Sequence, residues 1–462
     1  MADPARTKRR LTGRASVLAI TLLVMVAGAA AFFMNGRPQL AAAFLPANFA
    51  KGISSSKSAG GPTVANGVPS VELPEALLVK TLAAISNQRL DNALTEIDKV
   101  ISTYPNFRLA HLIKGDLLLA RAKPISAFGN VTDVPQAQIE DLRDEARVRM
   151  VRHHSERPKA QVPRYLVQMP PEQRHALVVD TAKATLYVFE NKDGEARYVT
   201  DYYVTIGKQG MDKYREGDNK TPLGVYHVTG SISREMLNNK FGSMAEQYGV
   251  GALPINYPNE WDRRAGRNGH GIWLHGVPFD TYSRPPRASN GCVALTNEDF
   301  MTLSKSVQVG LTPVIIANGI EWSNPDEMRA LRADLNHAFE GWRSDWESLN
   351  TGDYLKHYSN QFSNGAQNYN HWSAYKRQVN SAKTWIQVKV DNVSIFFYPG
   401  KGDLAVVTFD QNYASSNLSG QTRRRQYWKK ESGSWKIVYE GLAPSTNRDG
   451  QARSSPEARP GV

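Results

Sequence analysis

The hydrophobic period of this chain changes three times along its length, and each change forces one kind of packed layer to end and another to begin. From Pro74 onward apolar residues recur at helical spacing: Ala76, Leu77, Val79 and Leu82, then Leu90, Ala93, Leu94, Ile97 and Ile101, then Leu109, Leu112, Ile113, Leu117 and Ala120. This predicts three or more helices. At His175 the period drops to two. Ala176 to Asp180 and Thr185 to Glu190 read as strands, Asp193-Gly194 as a hairpin turn, and Arg197 to Ile206 as the returning strand. Thr312 to Ala317 is a short buried strand before Asn324-Pro325 breaks the chain. Pro325 to Leu349 is helical again, with Leu331, Leu335, Ala338, Phe339, Trp342 and Trp346 on one stripe. Alternating aromatic runs then follow at Thr384 to Val390, Val393 to Tyr398, Leu404 to Phe409, Arg423 to Lys430 and Ser434 to Glu440. Helices followed by strands indicate an α+β domain.

A chain of 462 residues is too long for one core, so the fold class is multidomain. The pattern divides it into a small α-helical region over 73–163, a β-rich domain over 172–320 and an α+β domain over 325–442. Within the helical region, Ala93 to Ala122 has Pro105 between two helical runs and Gly115 inside the second. It is weakly similar to one and a half tetratricopeptide repeats, and no further copy follows, so the region reads as a small helical subdomain, with a peptide-binding array as the alternative. Residues 134 to 163, with Arg147, Arg149, Arg152, Arg157 and Lys159 among few large apolar residues, read as a charged helix and linker. Residues 50–72 are Gly-, Ser- and Pro-rich, and 37–72 read as a flexible linker and 443–462 as a disordered tail.

The front of the chain sets the expected compartment. Arg6, Lys8, Arg9, Arg10 and Arg14 precede twenty uncharged residues, 15–34, which as a helix span roughly 30 Å, about one bilayer core. Residues 1–36 therefore read as a cytoplasmic basic stub and a single-pass inner-membrane anchor, with the bulk of the chain on the periplasmic, cell-wall side. A cleaved signal peptide is the alternative, since Ala29-Ala30-Ala31 and Ala41-Ala42-Ala43 resemble cleavage sites. The formal charge of +12 favours anionic partners without choosing among them. Nucleic acid is not an expected partner. No metal-ligand cluster or phosphate loop is present, His153-His154 having no third ligand nearby, so neither metal nor cofactor is expected.

An exported chain with a single cysteine has no internal disulfide partner, and that cysteine, Cys292, lies seventeen positions after His275. In Gly271-Ile272-Trp273-Leu274-His275, strand alternation puts Ile272 and Leu274 on one face and Trp273 and His275 on the other. Cys292 arrives from a loop, and Thr296 to Asp299 has the form of a capping box opening a helix to about Ser306. A helix N-terminus and a neighbouring imidazole would lower the thiol pKa. His275 could then take the thiol proton while Cys292 attacks an acyl carbonyl, with backbone N–H groups of Gly291 and Cys292 stabilising the oxyanion. On the residues alone, an inert core thiol beside a satisfied histidine stays open.

The stretch Ala176 to Ala317 resembles the catalytic domain of the L,D-transpeptidase (YkuD-type) family. Thr221-Pro222-Leu223-Gly224-Val225-Tyr226, the His275-Gly276 pair and the Ser289-x-Gly291-Cys292 loop carry the likeness. The resemblance implies a β-rich domain that attacks peptidoglycan stem peptides through a cysteine thioester. It implies Cys292 as nucleophile, His275 as general base and the Gly276 carbonyl as the group orienting the imidazole. Asn290 stands where the family usually has histidine, and Ala294 where an arginine is common. The form Gly-Cys-Val-Ala-Leu-Thr-Asn resembles the hydrolytic L,D-carboxypeptidase or endopeptidase subgroup, which leaves hydrolysis and crosslinking open. Around the pair, Ser289, Asn290, Gly291, Trp273, Tyr248 and Arg287 are candidate oxyanion or substrate contacts, with Arg284 a further cleft candidate. His270 reads as a surface or core histidine and Lys220 as structural.

Residues 326–441 resemble the nuclear transport factor two-like (SnoaL-like) fold, a cone-like curled sheet around a pocket. Trp342, Trp346, Tyr354, Tyr427-Trp428-Lys429-Lys430 and Gly433-Ser-Trp435-Lys436-Ile437-Val438 carry this likeness. It implies a role in dimerisation or in binding a protein partner or ligand, with the aromatic residues mainly core. Arg423-Arg424-Arg425 on an alternating strand reads as a basic surface. The expected function is a peptidoglycan-remodelling cysteine enzyme acting in cell shape. A non-enzymatic cell-wall scaffold with a degenerate site is the alternative.

Overall fold

The structure, a computed structural model, describes residues 74–123, 125, 128–130, 134–155 and 161–444. The expected anchor or signal segment, the linker over 37–72 and the tail beyond 444 lie outside the described residues. Among the described residues no helix is long and apolar enough to cross a membrane. The described residues form two compact units: those up to Thr103 with those between Ala110 and Val134, and Tyr104–Leu109 with those from Pro135 on. In the first, α1 (Pro74–Ser86) packs on α2 (Leu90–Thr103), and α3 (Arg108–Ala122) follows after Pro105. Of the stripe read from the sequence, α2 buries Ala93, Leu94 and Ile97; Val100 is buried as well, while Leu90 and Ile101 are half-buried.

The second unit opens with α4 (Gln136–His154). Its charges are not merely solvated. Arg149 and Glu145, both at most 2% exposed at the side chain, pair at 3.0 Å. Ser283 Oγ donates to Glu145 at 2.5 Å, and the Arg149 guanidinium lies 3.9 Å from the Tyr203 ring centroid. Arg152 pairs with Asp201 at 2.7 Å. The charged helix thus docks by ion pairs rather than by an apolar stripe.

Two sheets frame the middle of the chain. One runs β5 (Glu195–Tyr203), β4 (Thr185–Lys192), β3 (His175–Asp180), β13 (Pro313–Ala317), β7 (Gly224–His227). The β4–β5 hairpin turns at Asp193 and Gly194 with φ of 55° and 86°, the left-handed pair that such a two-residue turn requires. The second sheet runs β12 (Val293–Ala294), β10 (Trp273–His275), β9 (Gly251–Pro254), β8 (Ile232–Ser233). Leu177, Val179, Val314 and Ile316 join Leu253, Leu274 and Val293 in one core. The alternate residues Ala176, Val178, Ile315 and Ala317 belong to a second core on the other side. Strands β3 and β13 are therefore buried on both faces, which is why they read as unbroken apolar runs.

That second core continues into the C-terminal part. Helix α8 (Pro325–Glu347) starts from a capping box in which Asn324 and Glu327 each bond the other's backbone, with Pro325 at the first turn. It buries Leu335, Phe339, Trp342 and Trp346. After α9 (Thr351–Lys356) and α10 (Tyr369–Ser381) comes a sheet ordered β18 (Ser434–Leu442), β17 (Ser419–Glu431), β16 (Leu404–Ser415), β15 (Ile386–Phe397), β2 (Leu166–Gln168). The two runs Thr384–Val390 and Val393–Tyr398 form one strand, β15, interrupted by an irregularity between Asp391 and Ser394 where Asn392 takes φ 54°. Its edge partner β2 comes from ahead of the β-rich domain, in a stretch next to the expected linker.

The arginine triplet is not a basic surface. Arg423, Arg424 and Arg425 face Asp410, Glu440 and Glu260 at 3.5, 3.5 and 3.1 Å, with side chains no more than 23% exposed. Cross-strand and inter-domain carboxylates neutralise the run that looked exposed. Arg425 and Tyr427 both bond Glu260 of α6 (Glu260–Arg264), Trp261 stacks on Tyr427 at 5.4 Å, and Asn259 donates to Tyr398 at 2.8 Å. A cavity of about 40 Å³ lies along this seam, lined by His227, Gln173, Arg423 and Arg425 among others.

Candidate active site

Strands β10 and β12 are neighbours in a parallel pair, with Leu274 opposite Val293 and His275 opposite Ala294. Cys292, immediately before β12, thereby falls opposite Trp273, two residues ahead of His275 on the neighbouring strand. The alternation read from the sequence fixes their orientation: Ile272 and Leu274 go into the core, and Trp273 and His275 face the other way. The imidazole is 3% exposed. Its Nδ1 lies 2.6 Å from the Gly276 carbonyl oxygen, which can only accept, so Nδ1 carries the proton and Nε2 is left as the basic nitrogen.

An aromatic wall stands beside the pair. Tyr248 ends the short 3₁₀ turn Gly242–Tyr248 and meets the His275 ring edge-on, centroids 5.2 Å apart. Trp273 packs on Tyr248 at 4.9 Å and Phe241 lies behind both. Arg284, half-buried, donates to the Ala288 carbonyl at 2.5 Å, and its charge is felt by both Cys292 and His275. A second cation at the sulfur, Lys213, carried no sequence signal, because it lies in an irregular loop far ahead of the motif. It is 3% exposed and held by Asp218 Oδ1 at 2.7 Å and the Arg215 carbonyl at 3.0 Å.

The loop that delivers Cys292 is built on close backbone contacts. Gly291 has φ 121°, and a Cβ there would lie 2.7 Å from the Lys220 carbonyl oxygen. Thr221 Oγ1 donates to the Gly291 carbonyl at 3.0 Å and accepts the Gly207 N–H at 2.9 Å, which gives the Thr221-Pro222 motif a structural task. Ser289 is buried. Its hydroxyl donates to the Cys292 carbonyl at 2.6 Å and accepts the Gly291 N–H at 3.1 Å. The Gly291 N–H, expected to face an oxyanion, is thus already engaged, while the Cys292 N–H enters no described hydrogen bond.

Arg287 and Asn290 are exposed, and no described hydrogen bond holds either side chain. Ala294 is 1% exposed, and its N–H and C=O both pair with Thr205. His270 is exposed, 3.5 Å from Glu216. Thr296 caps α7 (Asn297–Ser304) by accepting the Asp299 N–H at 3.1 Å. Among the described residues no group of three or more His, Cys, Asp or Glu is placed to hold a metal ion.

Electrostatics depart from the expected activated thiolate. Cys292 keeps some open surface, yet its sulfur sits among packed atoms, 3.4 Å from the Gly271 carbonyl oxygen. Burial pushes the thiol up to about 11, against the opposing pull of the Trp273 backbone amide, Lys213 and Arg284. Burial likewise lowers His275 to about 4, with the Gly276 carbonyl working the other way and Arg284 adding to the fall. Helix α7 begins five residues beyond the sulfur, past strand β12. The resting pair is a neutral thiol and a neutral imidazole.

This arrangement sits within a recognisable domain. Residues 174–316 match the L,D-transpeptidase catalytic domain (YkuD), and residues 334–441 match the Cds6 C-terminal NTF2-like domain. The chain therefore carries an L,D-transpeptidase-type catalytic domain followed by an NTF2-like domain. Among solved structures it is similar to Bd1075 of Bdellovibrio bacteriovorus, at 28% identity and TM-score 0.54, over 62% of this chain and 100% of that one. It shares its fold with the helical cell shape determining protein Pgp2 from Campylobacter jejuni, at 23% identity and TM-score 0.50, over 63% of this chain and 97% of that one. A comparison with curated proteins returned no match.

Proposed function

We propose that this protein is a peptidoglycan-acting cysteine enzyme that cleaves at the L,D linkage of stem peptides, with Cys292 as nucleophile and His275 as general base. The observation that carries this reading is the Nδ1 contact of His275 to the Gly276 carbonyl, which leaves Nε2 basic on the strand beside Cys292. Because both groups rest neutral, the thiol proton passes to Nε2 as the sulfur attacks the substrate carbonyl carbon. The Cys292 N–H stabilises the oxyanion. The tetrahedral centre then collapses to a thioester as the imidazolium protonates the leaving amine. Water, deprotonated by the same nitrogen, adds to the thioester and releases a carboxylate and the free thiol.

Hydrolysis is the favoured outcome because the Gly291-Cys292-Val293-Ala294-Leu295-Thr296-Asn297 form, with Ala294 where an arginine is common, resembles the hydrolytic subgroup. The cations Arg284 and Lys213, which act on the sulfur, suit a donor ending in a free carboxylate in either outcome. Crosslinking by an amine acceptor is the second reading. The likeness to a cell-shape determinant supports a role in peptidoglycan remodelling and cell shape. Residues 15–34 support anchorage on the cell-wall side of the inner membrane. Purified protein incubated with muropeptides tests the chemistry. Tripeptides arising from tetrapeptides are expected, and new crosslinks would mean transfer. If the Cys292→Ala protein gave the same products, the enzymatic reading would be lost to the scaffold alternative.

A further inference from the structure

A single side-chain amide ties together the two backbone segments that flank His275. Asn297, the first residue of α7, turns its side chain inward: Oδ1 accepts the N–H groups of Val250 and Val277, both at 3.2 Å, and Nδ2 donates to the Val277 carbonyl at 2.9 Å. Two glycines make room for it. A Cβ on Gly276 would lie 2.2 Å from Asn297 Oδ1, and a Cβ on Gly249 would lie 2.1 Å from the same atom. One of these segments carries the carbonyl that fixes the imidazole tautomer. The other follows Tyr248, whose ring meets the imidazole edge-on.

We propose that Asn297 is a positioning residue for His275, locking the Gly276–Val277 peptide so that its carbonyl holds the Nδ1 proton and Nε2 remains the base. This rests on the reading of His275 as general base. Asn297 touches no reacting atom. It acts by denying the Gly276 peptide the freedom to rotate its carbonyl away. The Val277 N–H of that peptide has a fixed acceptor in Oδ1, and the Val277 carbonyl has a fixed donor in Nδ2. Without the amide the imidazole can shift toward the other tautomer, placing a proton where the base must be empty. A wrong tautomer at a comparable base costs roughly 10⁴-fold in kcat, and partial loss of orientation costs less.

The test combines kinetics with a tautomer readout in the full chain. For Asn297→Ala, kcat on a tetrapeptide muropeptide is expected to fall about 10- to 100-fold with KM nearly unchanged. Long-range ¹H–¹⁵N NMR on histidine-labelled protein is expected to show His275 losing its Nδ1–H form. Asn297→Asp keeps both acceptor contacts and loses only the donor, so it should fall between the parent and the alanine variant. A folded Asn297→Ala protein with parental kcat and an unchanged His275 tautomer overturns the proposal. If that variant does not fold, Asn297→Asp with parental values for both overturns it instead. The NMR readout needs no turnover, so a parent protein inactive on muropeptides would defeat the functional reading while leaving the positioning role to be judged by the tautomer alone.

Discussion

Burial sets the protonation of both catalytic candidates, and it does so against the local cues that a reader of the sequence would weigh. Cys292 looked activated because of its neighbours, but desolvation dominates the backbone amide and the two cations, and the thiol rises to about 11. The pH dependence follows. With neutral His275 as the proposed base, kcat/KM should hold from about pH 9 down to about 5 and fall only as pH passes through about 4. An acidic limb near the ordinary histidine value of 6.5, measured by muropeptide release, would show that the imidazole is solvated in the working enzyme. The same shift enters stability. Because the folded-state value lies below the unfolded one, the contribution of neutral His275 is fully present above about pH 6.5 and is lost as pH falls toward about 4. Urea midpoints taken across that window should decline, and His275→Gln should flatten the decline. Gly291 is the second residue-scale constraint. With φ 121° and the Lys220 carbonyl 2.7 Å from a would-be Cβ, Gly291→Ala should cost about 2–4 kcal/mol and displace Cys292, seen as a lower urea midpoint together with lost turnover.

At the scale of elements, what could be read from the sequence was whatever depends on period and turn chemistry. Strands β3, β4 and β13, the Asp193-Gly194 turn and helix α8 with its Asn324 cap follow from side-chain alternation and local hydrogen bonding, both of which are written in neighbouring residues. That His275 ends a short strand with its side chain turned from the Ile272 and Leu274 core face was legible for the same reason. What was not legible depends on residues distant in sequence. The arginine triplet read as a basic surface because nothing near it announces Asp410, Glu440 or Glu260 as partners. Helix α4 read as a charged helix whose docking went unseen, because its buried contacts are charged: Arg149 and Glu145 leave no apolar stripe to find. The ion pair gives the docking of α4 a measurable signature. Arg149→Ala strands a buried carboxylate and should destabilise by about 3–5 kcal/mol, whereas replacing Arg149 and Glu145 together by Leu should cost much less. Chemical denaturation of the two variants distinguishes the cases, and equal losses would mean that packing around the helix matters more than charge.

At the scale of the whole molecule, the catalytic domain and the NTF2-like domain share a hydrophobic core instead of being strung on a linker. Ala176, Val178, Tyr187, Phe189, Ile315 and Ala317 on one side pack in the same cluster as Phe339, Trp342, Phe397 and Trp428 on the other. Strand β2, which precedes the catalytic domain, completes the C-terminal sheet by pairing Gln168 with Ile395 and Leu166 with Phe396. The chain thus leaves the C-terminal sheet, builds the catalytic domain and returns, so each domain carries part of the other's support. Arg425 and Glu260 add a half-buried ion pair across the seam. A protein cut to residues 161–324 would bare one face of the β3–β13 sheet and leave β2 an unpaired edge, and both are aggregation hazards. It should therefore be insoluble, or unfold without a cooperative transition. Residues 161–444 should unfold in a single step, with intrinsic fluorescence and far-ultraviolet dichroism giving the same midpoint. If the shorter protein proved soluble, cooperative and active on muropeptides, the shared core would be an accessory contact, and the NTF2-like domain's contribution would have to be sought in what it binds.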